Sequence, residues 1–405
     1  MGKLRTLKWF VLFSALALVF AFAIAGCQEK PGEPTTPDEP ATDEPVADEA
    51  AGPIKIGLAA PMSGDAAAYG EIIGNGAMMK IEEINEAGGI NGRMLELVVG
   101  DERCDPKEAA AVGQNFASNE EIVAVLGHVC SSATLAAIPY YDEAGLPAIS
   151  PTATNVDVAP SSEYMFRNVF TDDFQGRFMA IYAKEVLGVE KVGVFHENND
   201  YAIGLKEAFV AAAEEIGLEV VGIEAYVADT VDFAPQLSKF KELAPDAIFI
   251  AGYYQQGGLI LAQAMNLGLD VQFLGADGLN NPELINIAKD AAEGFLASSP
   301  LVYEVAGEEA QAFKEAFEEK YGLTPDWMAA NAYDAIGMIA VAIEECGADR
   351  EAIKDCLAGM DTPETGYVGI AGITVFDENG DCSKPVFVSE VKDGEFVAAE
   401  KQMLE

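Results

Sequence analysis

The run Gly127-His128-Val129-Cys130-Ser131-Ser132-Ala133-Thr134 lies where an apolar strand pattern gives way to a helical one. A serine hydroxyl beside the free N–H groups of a helix start is suited to holding a carboxylate. Ser131 could equally be the helix N-cap, bonding only its own backbone. Bond-breaking chemistry finds no support elsewhere in the chain. There is no G-x-S-x-G and no Walker A run. Gly70, Gly74 and Gly76 enter a helix at the wrong spacing for a dinucleotide fingerprint. Only two histidines occur, His128 and His196, and each follows a strand, which suits structural roles. No C-x-x-C occurs, so neither a zinc site nor a nucleophile with its base is expected. Asp377, Asn379 and Asp381 mimic the opening of a calcium loop. Cys382 then stands where the sixth-position glycine is needed and Val388 where the bidentate glutamate should be, so a plain hairpin turn is expected. No metal and no cofactor are expected.

Positioning such a site falls to strands and helices that alternate along the chain. Ile54, Ile56 and Leu58 alternate with Lys55 and Gly57 as a strand. Over 70–87, Ile73, Ala77, Ile81 and Ile84 recur at helical spacing until Gly88-Gly89 stops them. A strand at 95–99, a helix at 107–119, a strand at 122–126, a helix after Ser131 containing Pro139, and a strand at 147–150 complete a βαβα series. After a pause near Phe170 the series resumes: a helix to Leu187, then strands at 191–195, 219–226, 247–251 and 271–274 with helices between them. Two long helices follow Pro300, and Phe313, Phe317 and Tyr321 form a core-facing stripe on the first. The segment 368–396 is rich in strand signals. Two α/β lobes with parallel sheets are predicted, with ligands held at the carboxyl ends of the strands between them.

The length of 405 residues, half of them hydrophobic, suits two or three domains. With 67 acidic against 24 basic residues and a net charge of -43, nucleic acid is excluded as a partner, because phosphate is bound by clustered Lys and Arg. At the N-terminus, Lys3, Arg5 and Lys8 precede an apolar run over 9–25 that is short for a bilayer span. This reads as a signal peptide over 1–26, and Ile24-Ala25-Gly26-Cys27 resembles a bacterial lipobox, implying lipid on the Cys27 sulfur. Residues 27–52 are rich in Pro, Glu, Asp, Thr and Ala, a composition expected to form an extended disordered tether. The predicted location is extracytoplasmic, anchored to the membrane by lipid. Five further cysteines then sit where disulfides persist, and one of them must lack an intrachain partner.

Several runs from Ile54 onward resemble, in order, the leucine/isoleucine/valine-binding proteins of ABC transporters. They are Pro61-Met62-Ser63-Gly64 with Tyr69-Gly70, Asn85-Glu86-Ala87-Gly88-Gly89-Ile90, Cys104-Asp105-Pro106, the run through Ser131, Ser150-Pro151-Thr152-Ala153-Thr154, and Gly252-Tyr253. The resemblance implies a type I periplasmic binding protein: two Rossmann-like lobes joined by a three-crossing hinge near Phe170, Pro300 and Phe376. Lobe 1 would comprise 53–171 with 301–376, and lobe 2 would comprise 172–300 with 377–405. It further implies that Ser131 and Thr154 hold the carboxylate of an amino acid, and that Asp277 with the Thr152 carbonyl holds its ammonium. Tyr69, Tyr201 and Tyr253 would close over the ligand, and Cys104 would be bonded to Cys130. Two positions depart from the family: Asp277 stands where a longer acid is common, and Thr152 where Ala is common. Taken alone, Asp277 could be a turn residue before Gly278, and each tyrosine an ordinary half-buried one. Among Cys346, Cys356 and Cys382 the sequence does not choose a pair.

The implied function is capture of an amino acid, branched-chain or another small aliphatic, by lobe closure, with delivery by a monomeric receptor to an ABC permease. A receptor for an amide or aromatic acid in uptake or sensing is the alternative, since one fold serves many ligands. Asp277 discriminates between them, because a ligand without an ammonium has no use for it.

Overall fold

A computed structural model describes residues 52–403. The segments expected to form the signal peptide, the lipid attachment at Cys27 and nearly all of the tether lie outside the described residues.

The first sheet is built from β1 (Ile54–Ala60), β2 (Leu95–Asp101), β3 (Ile122–Gly127), β4 (Ala148–Ser150) and β5 (Met165–Arg167), interleaved with α1 (Ala67–Glu86), α2 (Pro106–Ser118) and α3 (Ser131–Ala144). Its strand order is β2-β1-β3-β4-β5 and every pairing is parallel. Helices cover both faces, so β1 and β3 are buried almost throughout rather than on alternate residues. The alternation at Ile54, Ile56 and Leu58 thus marks a strand without marking a wet face.

The chain then continues through α4 (Asp172–Ile181), a wider turn at Tyr182–Val186, β6 (Lys191–Glu197), α5 (Asp200–Ile216), β7 (Glu219–Tyr226), α6 (Ala234–Leu243), β8 (Ala247–Ala251), α7 (Tyr254–Asn266), β9 (Gln272–Gly275), α8 (Pro282–Ala288) and β10 (Leu296–Ser299). It returns through α9 (Glu308–Tyr321), α10 (Trp327–Cys346) and α11 (Arg350–Ala358). A small hairpin, β11 (Tyr367–Gly369) with β12 (Gly372–Thr374), precedes β13 (Phe387–Lys392) and β14 (Glu395–Ala398). The second sheet runs β14-β13-β10-β9-β8-β6-β7, parallel from β10 to β7, with an antiparallel β13-β14 edge.

The protein is therefore two Rossmann-like lobes, and the chain passes between them three times. The passages fall between β5 and β6, after β10, and before β13. The second of them brings α10 back onto α1 of the first lobe. The two helices approach so closely at Gly76 that a Cβ there would strike the Ala329 carbonyl oxygen. The Phe313 and Phe317 stripe is buried, and Phe313 packs on Tyr303 and Tyr333. The segment after Phe376 is the tight turn expected: the Asp377 carboxylate accepts from the N–H groups of Asn379 and Asp381. Among the described residues no helix is long and apolar enough to cross a membrane, and no cluster of metal-binding type occurs.

Candidate functional site

The carboxyl ends of β3 and β4 carry the first half of the site. Cys130, not Ser131, is the N-cap residue of α3, and it makes no side-chain capping bond. Ser131 is therefore the first helical residue, and the capping alternative does not describe it. Its buried hydroxyl accepts from the Asn155 N–H at 3.2 Å. Cys130 is bonded to Cys104, which follows β2, so the loop before α3 is pinned to the neighbouring strand connection. Behind that loop His128 is fully buried, with Nε2 2.7 Å from the Tyr141 hydroxyl and Nδ1 3.4 Å from Glu102 Oε2. It has the structural place expected of it. Thr152 closes the loop from the β4 side, its hydroxyl donating to the Val129 carbonyl at 2.8 Å.

The other half comes from the ends of β6, β8 and β9. Asp277 is buried, and its Oδ1 accepts from the Tyr201 hydroxyl at 2.6 Å and the Gln175 amide at 2.9 Å. No side-chain donor among the described residues reaches Oδ2. Burial pushes the Asp277 carboxyl up to about 6, with the bonds from Tyr201 and Gln175 working in the opposite direction. The Tyr201 and Tyr253 rings stack with centroids 5.3 Å apart, and Tyr69 meets the Tyr254 ring edge-on at 4.8 Å. Burial holds the hydroxyls of Tyr69, Tyr201 and Tyr253 well above the usual phenol range, so all three remain neutral donors.

These residues enclose one pocket between the lobes. Six of the seven residues chosen from the sequence line it: Tyr69, Ser131, Thr152, Tyr201, Tyr253 and Asp277. Thr154 does not. It is fully buried behind the wall, its hydroxyl lacks a partner among the described residues, and its carbonyl accepts from the Asp172 N–H at 2.8 Å. Val129, Gly278, Trp327 and Met328 line the pocket and were not singled out in the sequence. Trp327 and Met328 open α10, some 50 residues beyond Asp277, after Asp326, whose side chain caps that helix. That Asx start is a visible signal for a helix, but nothing local says that its first turn faces a cleft.

The lobes are drawn together over the pocket. The Tyr69 hydroxyl donates to the Gly278 carbonyl and accepts from the Tyr254 N–H at 3.3 Å. The remaining volume is about 20 Å³, room for roughly one water, so a larger molecule must enter by separating the lobes. A larger cavity of about 220 Å³ lies on the far side of Trp327, lined in part by Leu301, Asp326 and Phe396. Asp326 offers it little, because its carboxylate already accepts from Asn281 and from the N–H groups of Met328 and Ala329. Of the remaining cysteines, Cys346 and Cys356 form the second disulfide and Cys382 is a buried free thiol.

A cleft between two α/β lobes, walled by tyrosines and holding a buried carboxylate and a helix start, defines a two-lobed solute receptor. The chain belongs to the periplasmic binding protein family, whose model it matches over residues 53–395. The family comprises solute-binding proteins of transporters rather than enzymes, and the chain is extracytoplasmic with it. The leucine-, isoleucine-, valine-, threonine- and alanine-binding protein of Pseudomonas aeruginosa is 37% identical over 336 residues, covering 82% of this chain and 88% of the relative. The branched-chain amino acid transporter substrate-binding protein of Streptococcus pneumoniae, solved with isoleucine, superposes with a TM-score of 0.82 at 34% identity, covering 87% of this chain and all of that one. A leucine-binding protein of Thermotoga maritima gives a TM-score of 0.80 at 34% identity, covering 85% of this chain and 97% of the other.

Proposed function

We propose that this protein captures a zwitterionic α-amino acid with a small or branched aliphatic side chain and hands it to an ABC permease. The observation that carries the reading is Asp277: a buried carboxylate whose Oδ2 lacks a side-chain donor, in a pocket whose opposite wall is the N-terminus of α3. The ligand ammonium would bond Asp277 and the Thr152 carbonyl, while the carboxylate would bond Ser131 and the amides at the start of α3. Thr154 would support that end from behind the wall. Tyr69, Tyr201 and Tyr253, with Trp327, would enclose the side chain. Burying both charges costs several kcal/mol per ion unless each is hydrogen-bonded, so the polar anchors select the ligand class. The relatives' names, which specify branched-chain and small amino acids, support this class.

In this reading closure is a hinge motion of two lobes, 53–171 with 301–376 and 172–300 with 377–405, and the receptor acts as a monomer tethered through lipid on Cys27. The test is a thermal-shift screen of the protein against the common amino acids and a panel of amides and aromatic acids, with Asp277→Asn alongside. Stabilisation by a subset of amino acids that disappears in the variant is expected. Stabilisation only by uncharged or purely anionic compounds would overturn the amino acid reading in favour of another solute.

A further inference from the structure

Asp277 does not hold its own orientation, because the residue that touches it at two points comes from a different segment. Gln175 lies on α4, in the first passage between the lobes, and is fully buried. Its Nε2 donates to Asp277 Oδ1 and to Asp172 Oδ1, each at 2.9 Å. Its Oε1 accepts from the Ser298 hydroxyl at 2.9 Å and from the Asp277 N–H at 3.4 Å. Both amide hydrogens and both lone pairs are thus used, which also fixes which way round the amide stands. Asp172, one helical turn before Gln175, donates its own N–H to the Thr154 carbonyl of the first lobe.

We propose that Gln175 is a positioning residue for the ammonium site: one amide group fixes the backbone and the carboxylate of Asp277 together and ties them to Asp172 on the passage between the lobes. This rests on the amino acid reading above. The clamp engages Oδ1 and leaves Oδ2 without a side-chain donor, in a residue that lines the pocket. It also separates two buried carboxyl groups that would otherwise face each other unshielded. Asp172 is held well above the ordinary carboxylate range by burial first and then by the charge of Asp277. The other ionisable groups facing the pair are the neutral phenols of Tyr69, Tyr201 and Tyr253. Arg167, whose guanidinium is engaged by Asp381 and by the carbonyls of Ala153 and Asn155, lies on the Asp172 side.

A Gln175 that only filled space, without donating to Asp277, would leave the titration of Asp277 where it is once the protein has folded. A positioning Gln175 would not, because its N–H favours the ionised form. The experiment follows the Asp277 carboxyl by carbon NMR in the ligand-free full chain, assigned with Asp277→Asn, and measures amino acid affinity across pH by calorimetry. In Gln175→Met the Asp277 midpoint should rise by about one pH unit, affinity at neutral pH should fall by about tenfold, and the pH at which binding is half lost should move up with the midpoint. Gln175→Glu, which keeps the acceptors and loses the donor, should shift in the same direction. If Gln175→Met does not fold, Ser298→Ala, which removes only the hydroxyl steadying Gln175, should give a smaller upward shift. An unmoved midpoint in a folded variant of a protein that binds amino acids would overturn the role of Gln175 alone. Failure of the unmodified protein to bind any amino acid would sink the reading of the site, and the ammonium role of Gln175 with it.

Discussion

The side-chain amide of Asn155, on the first lobe, donates to the backbone carbonyl of Asp200, on the second, at 2.8 Å. The Asp200 N–H in turn donates to the Ser132 hydroxyl at 3.0 Å, so one residue at the start of α5 is held from the first turn of α3 and from the loop after β4. Both bonds exist only while the lobes are together.

Removing Asn155 from this latch should therefore weaken ligand binding without touching the ligand. Each such bond contributes ~1 kcal/mol, so Asn155→Ala is expected to lower affinity by roughly fivefold, mostly through faster release. Stopped-flow release kinetics would show it. An unchanged release rate would mean that the latch does not govern closure.

Acidification should act in opposite directions on the protein and on its ligand. Asp277, Asp326 and Asp334 are each pushed up to about 6 by burial, above their values in an unfolded chain. The folded state then holds more protons than the unfolded state between pH ~4 and ~6, so these groups oppose folding most at neutral pH and progressively less as pH falls through that window. The melting temperature of ligand-free protein is expected to rise between pH 7 and pH 5, while the extra stabilisation by an amino acid shrinks as Asp277 takes up its proton. A ligand effect as large at pH 5 as at pH 7 would remove Asp277 from the site.

Replacing Asp277 by Asn keeps the shape and deletes the charge. Breaking a buried ion pair costs about 3 kcal/mol, so affinity for an amino acid should fall by ~100-fold at neutral pH. Titration calorimetry with Asp277→Asn checks it.

The Cys104–Cys130 bond joins residues 26 apart and pins the loop that presents Ser131. Replacing both by Ser should destabilise the fold by about 3 kcal/mol in urea unfolding and also weaken the ligand. Loss of stability with no loss of affinity would leave the bond with a purely structural role.

Trp327 stands as the partition between the pocket and the larger cavity behind it. In Trp327→Leu the two spaces should partly merge and the preference should move towards bulkier side chains, at a stability cost of ~3 kcal/mol or less. A thermal-shift panel ordered by side-chain size would register the move.

Most of the scaffold was legible in the sequence because each long element carries its own punctuation. α1 stops at Gly88-Gly89, both with positive φ, and α3 and α5 end at Gly145 and Gly217 in the left-handed region. The elements that escaped, β5, β10, α8 and α11, are only three to nine residues long. β10 also ends in Ser298 and Ser299, polar in type yet fully buried because their hydroxyls bond Gln175 and the Leu301 carbonyl. At the site, Ser131 could be found from the strand-to-helix junction, and the tyrosines and Asp277 from resemblance to relatives. Gln175 and Trp327 could not, because their importance lies in what the passages between the lobes bring next to them. Thr154 shows the converse limit: a motif places its backbone correctly and says little about where the hydroxyl ends up.

The return of α10 onto α1 bears on the order in which the chain can mature. The first sheet is made within the opening part of the folded body, yet α10, which packs against α1 and the end of β3, is complete only once residue 346 has been made. A domain whose closing helix begins 160 residues after its last strand folds slowly, since the long loop must be closed before the contact repays it. For a chain of an extracytoplasmic family such a delay would keep the polypeptide threadable until translocation and let the fold lock only on the far side.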